Sequence, residues 1–158
     1  MPESEEKKPA SRRKARKQAF ECLYGLIFES AVDERSLLRV FRHCPHDVAE
    51  GDDPAGQQFA WELVLGVWQN QTDIDALIVR FSKNWKLARI AKVELTILRL
   101  AVYEILKRPD IPLRVSLNEA IELAKRYGDE NSRNFINGIL DAIAKAVDSG
   151  EFAVTKEL

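Results

Sequence analysis

Arg12, Arg13, Lys14, Arg16 and Lys17 fill five of the six positions from 12 to 17, and the run "QAFECLYGL" follows at once. On a helix, Arg12, Arg16, Phe20 and Tyr24 step by four residues along one ridge, with Arg13 and Lys17 on the next. Guanidinium groups hold phosphates and flat rings stack on unpaired bases, so cations leading into aromatics match the chemistry of a single-stranded nucleic acid. Position adds a second reason. Positive charge at a helix N-terminus opposes the macrodipole and costs ~0.3–1 kcal/mol per badly placed residue. A helix built only for stability carries Asp or Glu there, so an anionic ligand explains these cations better than folding does. Phe20 reads as core. Tyr24 suits either core or ligand, because its hydroxyl must reach water or a partner.

A second candidate surface lies in "GDENSRNFINGIL" near the C-terminus. Phe135 and Ile136 are adjacent, so both cannot face the core equally, and one leans outward beside Asn131, Arg133 and Asn134. A helix start with free backbone N–H groups attracts phosphate, although a plain capped helix with a partly exposed ring explains the same residues. Other chemistry finds little support. "HCPH" at 43–46 gathers both histidines and one cysteine, but four consecutive residues rarely supply three tetrahedral ligands, and no second cluster completes a zinc site. Cys22 has no histidine at a helical neighbour position. Neither G-x-x-x-x-G-K nor G-x-G-x-x-G occurs, and the carboxylates are scattered at solvent-face spacing. The expectation is a non-enzyme without metal or cofactor.

These side chains need elements to carry them, and apolar periodicity supplies helices only. A chain of 158 residues, 46% apolar, suffices for a real core. Helices are expected over about 11–30, with Ser11 as N-cap, then 33–43, 55–83, 89–106, 112–127 and a last one to 147, capped by Asp129 or Asn131. Gly128 reads as the stop of the 112–127 helix, and "RPDIP" as a turn. The fold class is all-α, about seven helices, with a disordered leader over 1–10, one domain over 11–148, a loop over 43–56 and a tail over 149–158. Net charge is only −1, so attraction to a polyanion must be local; residues 7–17 hold seven Lys or Arg and no acid. No apolar run approaches a membrane span, no export signal is recognisable, and Cys22 and Cys44 fit reduced thiols, with one disulfide left open. A cytoplasmic protein is expected.

Three stretches together resemble the NusB family of transcription antitermination factors: "SRRKARKQAFECLY", "ILRLAVYEILKRPDIPLRVSLNEAIELAKRYG" and "DENSRNFINGILDAIAK". The resemblance covers roughly 11–30 and 85–147. It implies two packed helical subdomains and a non-enzymatic role, binding the single-stranded boxA element of nascent RNA together with NusE, a small-subunit ribosomal protein. That complex would help RNA polymerase resist termination, chiefly on ribosomal RNA operons. Carried over by position, Arg12, Arg13, Lys14 and Arg16 fall on the family's basic RNA motif, with Lys17 beside them. Tyr24 and Glu94 fall near the RNA and partner surface, and Phe135 on the aromatic that contacts RNA. Asn131 stands where the family commonly has aspartate and Asn134 where it commonly has lysine, so their effects on RNA roughly cancel. Asn118, Glu119, Asn137 and Gly138 match strongly and read as structural, Gly138 by allowing close helix packing. The competing reading is a homodimeric interaction module whose basic helix is buried in self-association.

Overall fold

A computed structural model describes residues 9–44, 54–83 and 85–152. Among these residues six α-helices follow one another: α1 (Pro9–Phe28), α2 (Glu34–His43), α3 (Pro54–Phe81), α4 (Lys92–Lys107), α5 (Leu113–Tyr127) and α6 (Glu130–Asp148), with one 3-10 turn at Leu87–Arg89 before α4. There is no strand among the described residues. The chain divides into two compact units, Met1–Gly66 and Val67–Leu158, with the boundary inside α3.

In the first unit the apolar stripe of α1 buries Ala15, Ala19, Phe20, Cys22 and Leu23, the three-and-four spacing of an inward face. Leu37 and Phe41 of α2 and Phe59, Ala60, Leu63 and Val64 of α3 complete this core. Two polar devices fix it. Gln18 and Gln57 exchange amide hydrogen bonds, both of 3.1 Å, between α1 and α3. Asp33 caps α2: its carboxylate accepts the Ser36 N–H at 2.7 Å, while the Ser36 hydroxyl accepts the Asp33 N–H at 3.1 Å. The helix α1 begins at Pro9, so Ser11 lies inside its first turn rather than capping it. Proline has no N–H to leave unpaired and suits a first helical position.

In the second unit α4 is the central element, burying Leu95, Ile97, Leu98, Leu100, Val102 and Ile105. It packs against α5 and α6, which also pack on each other. Arg99 of α4 forms a two-pronged pair with Asp75 of α3, 2.8 Å at both contacts. The Ser116 hydroxyl on α5 donates to the buried Glu104 of α4 at 3.1 Å. Asp129 is the cap of α6, its carboxylate accepting the Ser132 N–H at 2.8 Å; Asn131 lies within the helix. Beyond α6, Glu151 pairs with Arg80 and the Phe152 ring sits 6.1 Å from that of Phe81, so the first residues of the tail are docked.

Two glycines need a different account from the sequence reading. Gly128 does end α5, but at φ −115°, which any residue can adopt. A Cβ there would stand 2.8 Å from Ser132 Cβ, so close approach to α6 excludes a side chain. The left-handed position, φ +80°, belongs to Gly150 after α6. Gly138 is exposed and an added Cβ would meet nothing within 4 Å, so it does not serve close helix packing. Glu119 is buried as a structural role requires, whereas Asn118 and Asn137 are exposed.

Candidate nucleic-acid interface

The cations of α1 differ in exposure. Arg13 is exposed; Arg12, Lys14 and Lys17 are half-buried. Arg16 is only 3% exposed, so it does not present its charge as the sequence reading expects. The reason is local. Arg16 shares its four-residue ridge with Phe20, and Phe20 is core. Both guanidinium groups of that ridge lie over Phe59 of α3, Arg12 at 4.3 Å and Arg16 at 5.3 Å from the ring centroid. Cation–π stacking of this kind offsets part of the cost of taking the charge from water.

Further along α1, Tyr24 is half-buried between two rings. It lies nearly parallel to Phe20 at 5.9 Å and 14°, and edge-on to Phe28 at 5.3 Å and 70°. Phe28 is 63% exposed, so the end of α1 carries an apolar surface beside the tyrosine. Cys22 and Cys44 are free thiols, yet they are joined by a hydrogen bond between their side chains. Cys22 acts as donor. Its own ionisation is pushed far up by that bond and by burial, while the same bond lowers the pKa of Cys44 against opposing burial and the nearby Glu21. Of "HCPH", Pro45 and His46 lie outside the described residues, as does most of the 43–56 loop.

The second unit carries the remaining candidates. Asn131 and Asn134 are exposed on the first turns of α6, Arg133 is half-buried, and Glu94 is half-buried in the first turn of α4. Phe135 is the ring that leans outward, while Ile136 is fully buried, which resolves the adjacent pair. The ring of Phe135 meets Trp85, 6.1 Å away and tilted 47°. Trp85 is 53% exposed and was not a candidate from sequence. A signal exists: "KNWK" places an aromatic between cations, and five Lys or Arg occur between Asp75 and Glu94 with no acid. Among the described residues no group of three or more His, Cys, Asp or Glu could hold a metal ion, and no helix is long and apolar enough to cross a membrane.

A model of the NusB family matches residues 13–145. The chain belongs to the NusB family. It is 52% identical over 141 residues to the transcription antitermination protein NusB of Oleidesulfovibrio alaskensis, and 50% identical over 141 residues to that of Nitratidesulfovibrio vulgaris. Each alignment covers 89% of this chain and 92% of the relative. Among solved structures, NusB of T. maritima aligns with a TM-score of 0.74 at 39% identity, covering 92% of this chain and 99% of that one. A crystal structure of the antitermination factors NusB and NusE in complex with double-stranded RNA aligns with a TM-score of 0.74 at 25% identity, covering 88% and 99%. NusB proteins are non-enzymatic antitermination factors, and the all-helical architecture of this chain is theirs.

Proposed function

We propose that this NusB-family protein binds single-stranded boxA RNA together with NusE in the cytoplasm. In that complex it helps RNA polymerase resist termination, chiefly on ribosomal RNA operons. The observation that carries the reading is the cationic start of α1, where Arg13 is exposed and Arg12, Lys14 and Lys17 are partly so, at the helix end that disfavours positive charge. A structural relative that holds both NusE and RNA supports it. In this reading Arg12, Arg13, Lys14 and Lys17 meet phosphates, and Arg16 positions the turn through Phe59. Phe135, Asn131 and Asn134 contact the RNA from α6. Tyr24 and Glu94 serve the partner surface, Tyr24 with the exposed Phe28 beside it.

The test is binding to boxA RNA, a scrambled control and a duplex of the same sequence, with and without NusE. Preference for the single-stranded boxA strand in the presence of NusE is the expected result, with Arg13→Ala weakening all RNAs by a similar factor. Equal affinity for boxA and scrambled RNA with NusE present removes the sequence-specific reading. An unchanged Arg13→Ala variant removes the basic turn from the interface.

A further inference from the structure

The sharp feature left unexplained is Trp85. It sits between α3 and α4, and more than half of its surface meets solvent. The backbone that carries it is held by hydrogen bonds. The backbone N–H of Trp85 donates to Ser82 O at 3.3 Å, and the Ser82 hydroxyl donates to Val79 O at 3.0 Å, so the segment folds back on the end of α3. Lys83, two residues before it, takes the left-handed conformation at φ 57°, the one non-glycine residue to do so among those described. Such a conformation costs free energy in a residue with a Cβ and persists where the surroundings enforce it. The indole meets the ring of Phe135 of α6, which the proposed function places against RNA.

The charges around it have one sign on the segment itself. Lys83, Lys86 and Arg89 are exposed, and Arg80 at the end of α3 is paired with Glu151. The acids of the neighbouring helix start are Asp129, which caps α6, and Glu130. An exposed flat ring in contact with Phe135, with exposed lysines at positions 83 and 86, fits the two parts of a nucleotide: ring to base, ammonium to phosphate.

We propose that Trp85, backed by Phe135, is a stacking platform for one unpaired base of the bound RNA, with Lys83 and Lys86 holding the adjoining phosphates. The proposal rests on the RNA-binding function above and adds a contact to it. Stacking on a base is sequence-tolerant and insensitive to salt, whereas phosphate contacts are steeply salt-dependent. The two kinds of contact are therefore separable.

The experiment measures affinity of the full chain with NusE for boxA RNA across a salt series, for wild type, Trp85→Ala, Trp85→Phe, Trp85→Leu and Arg13→Ala. Removing the ring should weaken binding roughly five- to hundredfold with the slope of affinity on salt unchanged. Phe should restore most of the loss and Leu little, because leucine can pack on Phe135 but offers no π-face. A scan of single abasic substitutions in the RNA should then find one position where Trp85→Ala costs nothing more. Wild-type affinity in Trp85→Ala, or full rescue by Leu, overturns the stacking platform while a weakened Arg13→Ala leaves the RNA-binding function standing. Absence of RNA binding by the wild-type chain overturns both.

Discussion

The hydrogen bond from Cys22 to Cys44 gives two otherwise similar thiols opposite reactivity. Cys22 is buried on α1 and held protonated, while Cys44, at the end of α2 and partly exposed, has its pKa lowered by the S–H it receives. Only the thiolate is nucleophilic. Iodoacetamide at neutral pH should therefore add once to the folded protein, at Cys44, with Cys22 labelling only after denaturation. Peptide mapping of the singly modified species checks this, and a first adduct on Cys22 contradicts it. Neither cysteine's role was legible in the sequence, because 22 positions separate them and the contact exists only once α2 folds back. Arg16 is the opposite case. Its core neighbour Phe20, four residues on, was legible, although Arg12 and Tyr24 on the same ridge stay half-buried. A cation counted in a basic motif is not yet a cation at the surface.

At the scale of elements, the helix starts carry the clearest pH dependence. Asp33 and Asp129 each accept a backbone N–H of a serine three residues on, and this bond holds both carboxyls below the ordinary value of 3.8. The unfolded chain therefore takes up these protons first, and stability rises with pH between the depressed folded value and the ordinary one. The contribution of each cap is complete above the ordinary aspartate value and is lost as pH falls through the folded one. Asp129→Asn should keep the cap at neutral pH but lose melting temperature less steeply on acidification below about pH 4. Asp129→Ala should melt lower throughout the neutral range; thermal denaturation followed by circular dichroism across pH reads both. The helices themselves were largely legible. Apolar spacing located α2 through α6 to within about three residues at each end. The choice between Asp129 and Asn131 was not legible, because both are good caps and only the folded chain shows which carboxyl or amide accepts an N–H; it is Asp129, from Ser132.

For the molecule as a whole, 24 cations against 25 acids leave no net attraction to RNA, so affinity must come from local contacts that displace counterions. With Arg16 buried, the phosphate contacts proposed on α1 are Arg12, Arg13, Lys14 and Lys17. These four contribute about −3 to the slope of log affinity on log salt for a single strand, or a roughly fiftyfold loss between 50 and 200 mM salt. Fluorescence anisotropy over that range reads the slope; Lys83 and Lys86 would add about −1.4 by the same rule, so a slope of about −1.4 or shallower would remove α1 from the interface. The position of Arg12 over Phe59 bears on how such a contact would form. A long side chain lying free in solvent gives up its rotamers when a ligand arrives, at ~0.5–1.5 kcal/mol for each one immobilised. Arg12 has already surrendered much of that freedom to the aromatic ring during folding. An arriving phosphate would meet a guanidinium held in advance, so the entropy of ordering is charged to the fold and not to the encounter with RNA.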